Sequence, residues 1–135
     1  MNGEKRVRAY LELATKDAEA AGLLLAGGNR YAAYHIQQAV EKVTKALLLA
    51  RGIEAGIDHR LEELFKRFAG DDAWPDRLRP FAGYSAYATA FRYPTPGGRI
   101  PADPPPDALR RDISSLRDLI AMARNELLGS APIVE

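Results

Sequence analysis

The stretch "RYAAYHIQQAVEKVTKALLLARG", Arg30 to Gly52, carries an apolar and a polar pattern on one segment. Its apolar residues recur at the spacing of one helix face, so the pattern predicts an amphipathic helix. The residues of that face are Ala32, Ile36, Ala39, Val40, Val43, Leu47 and Ala50. A polar row falls on the opposite half of the helix at about 100° per residue. The residues of that row are Tyr34, Gln38, Glu41, Lys42 and Lys45.

Leu48 and Leu49 widen the apolar surface in the C-terminal half of this helix. A helix that is apolar nearly all round is either central in its domain or shared with another subunit. Gly52 is expected to end the helix, because glycine readily adopts the left-handed conformation found past helix ends.

An earlier helix is predicted from a stripe that is rich in alanine, which would let a neighbouring helix approach closely. The stripe consists of Val7, Leu11, Ala14, Ala18, Ala21 and Leu25. Gly27 and Gly28 are expected to end this first helix, and Asn29 is a suitable N-cap for the next one.

Three further helices are predicted downstream. Asp58 is expected to cap a short one that presents Leu61, Leu64, Phe65 and Phe68. A fourth helix, delayed or bent by Pro80, has its apolar residues at Trp74, Leu78, Phe81, Tyr84, Ala88 and Phe91. After a proline-rich loop from Arg92 to Pro106, Asp103 or Asp107 would cap the last helix. Its apolar face consists of Leu109, Ile113, Leu116, Ile120, Ala123 and Leu127.

These patterns predict an all-α protein. We find no internal repeat and no convincing alternating strand pattern. The expected architecture is an up-and-down helical bundle of about five helices, four of them long. Residues 1–129 would form a single domain, and residues 130–135 a flexible C-terminal tail.

Composition narrows the class of protein. The 135 residues suggest one domain, and the absence of cysteine excludes disulfides and thiolate metal sites and is compatible with a reducing compartment. With 19 basic and 18 acidic residues, the net charge of +1 gives no global indication of nucleic-acid binding. No apolar run approaches the roughly 18 residues of a membrane span, and the charged N-terminus lacks a signal-peptide core. The expectation is a soluble cytoplasmic protein.

The polar row has two interpretations that the spacing leaves open. Glu41 and Lys45 form an i,i+4 pair, which on a solvated helix back stabilises by only about 0.3–0.5 kcal/mol. Alternatively, the row is one wall of a polar cleft in which Lys42 or Lys45 meets an anion.

The two histidines are weaker candidates for function. His35 lies at the edge of the apolar stripe, where a hydrogen-bonded packing role competes with a role as a base. His59 follows Asp58 at a predicted helix start and could be a local capping partner. No acidic cluster accompanies either one, so we predict no metal site. There is also no glycine-rich phosphate loop, no evident nucleophile and no sign of a cofactor.

The segment "FRYPTP" contains Arg92 and Tyr93 before a proline that ends the helix. Arg92 could pair with a helix carbonyl or a carboxylate. It could equally present a guanidinium at a loop mouth, ready for a phosphate.

Taken together, four segments resemble the HEPN domain family. They are "YLELATKDAEAAGLLLAGG", "YAAYHIQQAVEKVTKALLLARG", "HRLEELF" and "FRYPTP". The similarity is to the branch with a QQAxEKxxKALL helix and an RYP loop, and it covers nearly the whole chain. It implies a helical bundle that forms a homodimer and associates with nucleotides or RNA. It also implies a partner, a minimal nucleotidyltransferase, in a toxin–antitoxin-like module.

Many HEPN proteins are metal-independent ribonucleases with an Arg-x4-6-His motif near a helix end. Arg92 resembles the arginine of that motif, but the residues that follow include no histidine. A literal match, Arg30 to His35, begins the second helix instead of closing a later one. The resemblance therefore implies a non-nucleolytic member without a catalytic residue.

We expect the nucleotide- or phosphate-binding site at Arg92 and Tyr93. Arg92 would contact a phosphate and Tyr93 would stack on a base. The helix wall would consist of Gln38, Glu41, Lys42 and Lys45, and His35 and His59 are second-rank candidates. The alternative is a metal-independent HEPN ribonuclease with a non-standard active site, which needs His35 or His59 near Arg92. A third reading is a module that binds only protein.

Overall fold

The computed structural model describes residues 2–88 and 92–129, and these residues form helices and loops without a strand. The elements in order are α1 Asn2–Ala26, α2 Ala32–Ala50, α3 Leu61–Phe65, α4 Trp74–Leu78, a 3₁₀ segment Arg79–Ala88 and α5 Pro106–Leu128. This confirms the all-α class and the bundle of five α-helices. Residues 130–135, the predicted tail, and Phe91 lie outside the described residues.

Helix α2 is the central element, since α1, α5 and the 3₁₀ segment all pack against it. Leu47 and Leu48 have no exposed surface, and Leu49 is partly buried against the same core. The wide apolar surface at this end of α2 is therefore covered within the chain. On the other side, the alanine stripe of α1 is buried, which permits the close approach of α1 to α2 that the sequence predicted.

The predicted end of α1 is confirmed at Gly28, whose φ of +70° is the left-handed conformation that glycine adopts without strain. Asn29 is not the N-cap of α2, because the helix begins at Ala32 and Tyr31 precedes it. The Asn29 side chain instead accepts a hydrogen bond from the Tyr31 backbone N–H at 2.9 Å, which orders the turn before the helix.

The prediction of four long helices was wrong, since only α1, α2 and α5 are long among the described elements. The fourth predicted helix is a single α-helical stretch that changes into the 3₁₀ segment at Arg79 and Pro80. Proline has no N–H for an α-helical bond and its ring crowds the preceding turn, so the tighter winding replaces the α-helix there. Phe81 and Tyr84 are nevertheless buried as predicted.

Two predicted helix caps were also wrong. Asp58 accepts a hydrogen bond from the N–H of Arg60, the residue before α3, whereas the first N–H of α3, on Leu61, donates to the Ser85 hydroxyl at 2.9 Å. Neither Asp103 nor Asp107 caps α5, because Pro105 precedes the helix and Pro106 opens it. Proline suits a first helical position, where its missing N–H would have no partner in the helix.

The proline-rich loop is confirmed for residues 92–105. Within it, the N–H of Gly98 donates to the Thr95 carbonyl at 2.8 Å, and the N–H of Thr95 donates to the Arg99 carbonyl at 2.8 Å. These bonds fold the loop back on itself between Thr95 and Arg99. Among the described helices, none combines the length and the apolar character that a membrane crossing requires.

Candidate functional site

A surface cleft lies where the proline-rich loop meets the beginning of α2. Its lining residues are Arg30, Tyr31, Arg92, Tyr93, Pro94, Ile100 and Pro101. The sequence predicted Arg92 and Tyr93 here, and the structure adds Arg30 and Tyr31 from the turn before α2. The cleft thus combines two guanidinium groups with two phenol rings, of which Tyr93 is 74% exposed and Tyr31 41% exposed.

Arg30 fixes the loop in place on this side of the cleft. Its guanidinium donates to the Pro101 carbonyl, and its Nε lies 3.0 Å from an Asp103 carboxylate oxygen. Only 18% of the Arg30 side chain is exposed. The sequence indicated no role for Arg30 other than as the first residue of the Arg-x4-His match that ends at His35. Its structural partners lie far along the chain, so spacing could not reveal them.

Arg92 differs from Arg30 because its guanidinium is exposed and makes no ion pair among the described residues. It lies over the ring of Tyr34, with Cζ 6.0 Å from the ring centroid, which is at the outer limit of a cation–π contact. Tyr34 in turn packs edge-on against His35, with centroids 5.2 Å apart. The Tyr34 ring thus contacts both groups, and among the described residues no hydrogen bond or ion pair joins Arg92 to an imidazole.

The N-terminal part of the polar row on α2 is joined to α1 through Asp17. One carboxylate oxygen of Asp17 lies 3.0 Å from Nδ1 of His35, and the other accepts a hydrogen bond from Nζ of Lys42 at 2.6 Å. Lys42 also donates to Gln38 at 3.3 Å. His35 therefore has one acidic partner, which fits the hydrogen-bonded packing role considered for it, and the charge of Lys42 is compensated. Asp17 was missed, although it flanks the buried alanine stripe of α1.

The row continues through its amide side chains to a second acidic centre. Gln38 donates to Gln37 at 2.7 Å, and Gln37 donates to Glu41 at 3.0 Å. Glu41 lies 2.8 Å from Nδ1 of His59 and 3.1 Å from Nζ of Lys45. A single hydrogen-bonded chain of side chains thus connects His35 to His59 along α2.

The two ends of this hydrogen-bonded series of side chains differ in burial. Glu41 and Lys45 were expected on the face away from the core, yet they are only 5% and 7% exposed. The interpretation of the row as a solvated helix back was wrong, because Tyr10, Ile53 and Ala55 lie beside Lys45. Sequence periodicity could not show this, since these neighbours come from α1 and from the loop after α2.

The environment of Glu41 keeps this carboxylate ionised. Burial by itself raises the pKa of Glu41, because a charged carboxylate is less favourable away from water. Hydrogen bonds from His59, Gln37 and Lys45 more than offset this effect, so the pKa of Glu41 lies below its ordinary value. Glu41 and Lys45 therefore form a buried ion pair, and Lys45 does not present a free cation to a ligand.

His59 is 67% exposed in its side chain, although its Nδ1 contacts buried Glu41. Its neighbour Asp58 is bonded to Arg60, and that hydrogen bond lowers the pKa of Asp58 to about 2. No group of three or more potential metal-ligating residues is brought together within residues 2–88 and 92–129.

Comparison with known proteins identifies the family. The HEPN domain family matches residues 7–126, which is most of the chain, from α1 to the last turns of α5. No curated protein and no solved structure gives a match. The helical bundle has the class that the sequence resemblance implied, and family membership suggests a general nucleotide- or RNA-related role. On this match and this fold, the chain is a member of the HEPN domain family.

Proposed function

We propose that this protein is a non-nucleolytic HEPN domain that binds a nucleotide or an RNA phosphate in the Arg92 cleft. It would belong to the branch with the QQAxEKxxKALL helix and the RYP loop. As a cytoplasmic homodimer, it would be the helical partner of a minimal nucleotidyltransferase in a toxin–antitoxin-like module. The observation that carries the proposal is the exposed Arg92 guanidinium, which has no carboxylate partner among the described residues and lies beside two accessible tyrosines.

Each residue of the cleft has a role that its chemistry supports. Arg92 presents several N–H donors in one plane, which suits bidentate contact with a phosphate. Tyr93 and Tyr31 provide rings on which a base can stack, an interaction that tolerates any base. Arg30 keeps the loop against α2 through Asp103 and Pro101, so it shapes the cleft from behind.

The polar row has a divided role in this proposal. Gln38 and Lys42 are partly exposed and extend the polar surface from the cleft along α2. Glu41 and Lys45 are buried and maintain the wall itself. His35 contacts Asp17 and Tyr34, so it positions the ring over which Arg92 lies, and His59 completes the hydrogen bonds of Glu41.

The non-nucleolytic character is inferred from the positions of the two histidines relative to Arg92. Cleavage of RNA through its 2′-hydroxyl requires a group that accepts and donates protons near the phosphate. In the described chain, the Tyr34 ring contacts both Arg92 and His35, and His59 is engaged by Glu41 on another part of α2. Among the described residues no hydrogen bond or ion pair joins Arg92 to either histidine, which supports the non-nucleolytic proposal.

Titration calorimetry with ATP and with a short oligoadenylate tests the proposal on the wild type and on Arg92→Ala. We expect the variant to bind about tenfold more weakly or worse, because a charge-assisted hydrogen bond to phosphate contributes roughly 1.5–3 kcal/mol. The helical circular dichroism signal should not change, since Arg92 is exposed.

Arg99→Ala is the matched control, because Arg99 is an exposed arginine of the same loop that does not line the cleft. Its affinity should equal that of the wild type. Equal nucleotide affinity of Arg92→Ala and wild type would show that Arg92 is not part of the site. Light scattering of the purified protein would test the proposed homodimer separately.

A further inference from the structure

A second concave surface runs between α1 and α5. Two cavities of about 750 Å³ and about 600 Å³ adjoin at Glu19 and Arg117, which line both, and together they form a groove along the two helices. The groove has no lining residue in common with the Arg92 cleft. We call it the α1–α5 groove, and the proposed nucleotide site does not use it.

Both walls of the α1–α5 groove repeat at helical spacing. The residues that α5 contributes lie at steps of three or one, namely Arg110, Ile113, Ser114, Arg117, Ile120, Ala121 and Arg124. The α1 wall likewise follows one face of its helix from Glu12 to Ala26. The groove between two such faces is a surface into which the side-chain ridge of a further helix can pack.

The floor of the groove is apolar, with Ile113 and Ile120 at its base. At Gly22 the guanidinium of Arg117 lies against α1, where its Nη2 is 2.9 Å from the position that a Cβ would take. A ligand that reaches this part of the floor must displace the Arg117 side chain. At one end, Leu23 is 76% exposed. When another apolar surface covers this exposed leucine and the apolar floor beside it, the free energy of binding becomes more favourable.

The charges indicate which kind of helix fits. Arg110, Arg117 and Arg124 are seven residues apart, so they form a row with steps of about 10.5 Å along α5. Arg117 and Arg124 make no ion pair within the part of the chain that the structure describes. Acidic side chains that repeat every seven residues on a helix in the groove would meet this row in register.

We propose that the α1–α5 groove binds an amphipathic helix of a partner protein, with an apolar stripe toward the floor and an acidic row toward α5. A protein helix fits better than a nucleic acid because the α1 wall is net negative, with Glu12 and Glu19 against Lys16. Those carboxylates would repel a polyphosphate, but they can face basic side chains on the other flank of a helix. This inference concerns a different surface from the Arg92 cleft and does not rest on nucleotide binding.

The probe for this proposal is a synthetic amphipathic peptide with Leu at heptad positions a and d, Glu at e and Lys at g. In a control peptide of the same composition, Glu and Lys stand at the outer heptad positions b, c and f, which face away from the groove. Fluorescence anisotropy of the labelled peptides with the full-length protein should show binding of the first and at least about tenfold weaker binding of the second, because only the first places acids beside the arginine row. Equal binding of both peptides would overturn the proposal.

Two pairs of variants locate the binding surface. Arg117→Glu should reduce peptide affinity, whereas Arg111→Glu should not, because Arg111 is exposed on α5 outside the groove. Ser114→Trp should block the groove, and Ser115→Trp should not, although both serines are exposed neighbours.

A competition experiment covers the other class of ligand. Displacement of the peptide by a single-stranded oligonucleotide, with the same dependence on Arg117, would identify the groove as a nucleic-acid surface and overturn the proposal. Persistence of the peptide complex in the presence of the oligonucleotide is the expected result. Since Arg92→Ala leaves the groove intact, its effect on nucleotide binding is distinguishable from any effect here.

Discussion

The two halves of the polar row on α2 lie on one helix but differ in burial. In the C-terminal half, Glu41 and Lys45 are buried and contact each other. In the N-terminal half, Tyr34 and Gln38 remain partly exposed, and the guanidinium of Arg92 lies over Tyr34. The difference comes from what covers each half, because Tyr10, Ile53 and Ala55 lie beside Lys45.

This comparison separates two roles that we expect along this surface. A buried charge must be paired, since removal of the partner leaves an uncompensated ion away from water. An exposed charge without a partner costs little and remains available to a ligand. The closed half should therefore govern stability, and the open half should govern binding.

The largest expected effect is on the stability of the closed half. Glu41→Ala leaves Lys45 buried without its carboxylate and removes the acceptor of His59 and Gln37. We expect the free energy of unfolding to fall by about 3 kcal/mol. Urea denaturation followed by circular dichroism measures it, and Glu41→Gln keeps the measurement possible if the alanine variant does not fold.

The control for this effect is Glu63→Ala. Glu63 pairs with Lys66 on the surface at 2.8 Å, in an exposed i,i+3 arrangement. Because such a pair contributes little, the loss should be about 0.5 kcal/mol or less. Losses of similar size in the Glu41 and Glu63 variants would show that burial does not distinguish the two pairs.

A smaller effect on the unfolding free energy is expected when the pH is lowered. The pKa of Glu41 is lower in the folded chain than its ordinary value of 4.5, so its stabilising contribution is complete above that pH. The contribution is lost as the pH falls through the lower folded value. The stability difference between wild type and Glu41→Gln should narrow as the pH falls below 4.5, where the Glu41 carboxylate begins to be protonated in the unfolded chain. A difference that widens below pH 4.5 would contradict the assignment of Glu41 as an ionised partner of Lys45.

The sequence predicted those parts of the fold that depend on local periodicity. Helices α1, α2 and α5 have long apolar stripes, and their existence followed directly from spacing. The segment after Trp74 was less predictable, because Pro80 converts a helical pattern into 3₁₀ winding. The cap of α3 was not predictable, since the hydroxyl of Ser85 reaches it from a distant part of the chain.

The candidate site was predicted only in part for the same reason. Arg92 and Tyr93 were recognisable from the RYP loop, and the structure places both at a cleft. The role of Arg30 depends on Asp103, and the compensation of Lys42 depends on Asp17. These contacts join residues far apart in sequence, so only the packed structure shows which basic residues are compensated.

The most direct test of this division is a paired measurement on Lys45→Met and Arg92→Met. Each variant removes one positive charge from one half of the surface and keeps an unbranched apolar side chain. Unfolding free energy and ATP affinity are measured on both. We expect Lys45→Met to lower the unfolding free energy, because Glu41 loses its buried partner, while ATP affinity stays close to wild type. We expect Arg92→Met to lose ATP affinity at unchanged stability. Wild-type ATP affinity in Arg92→Met together with impaired binding in a folded Lys45→Met would contradict the account.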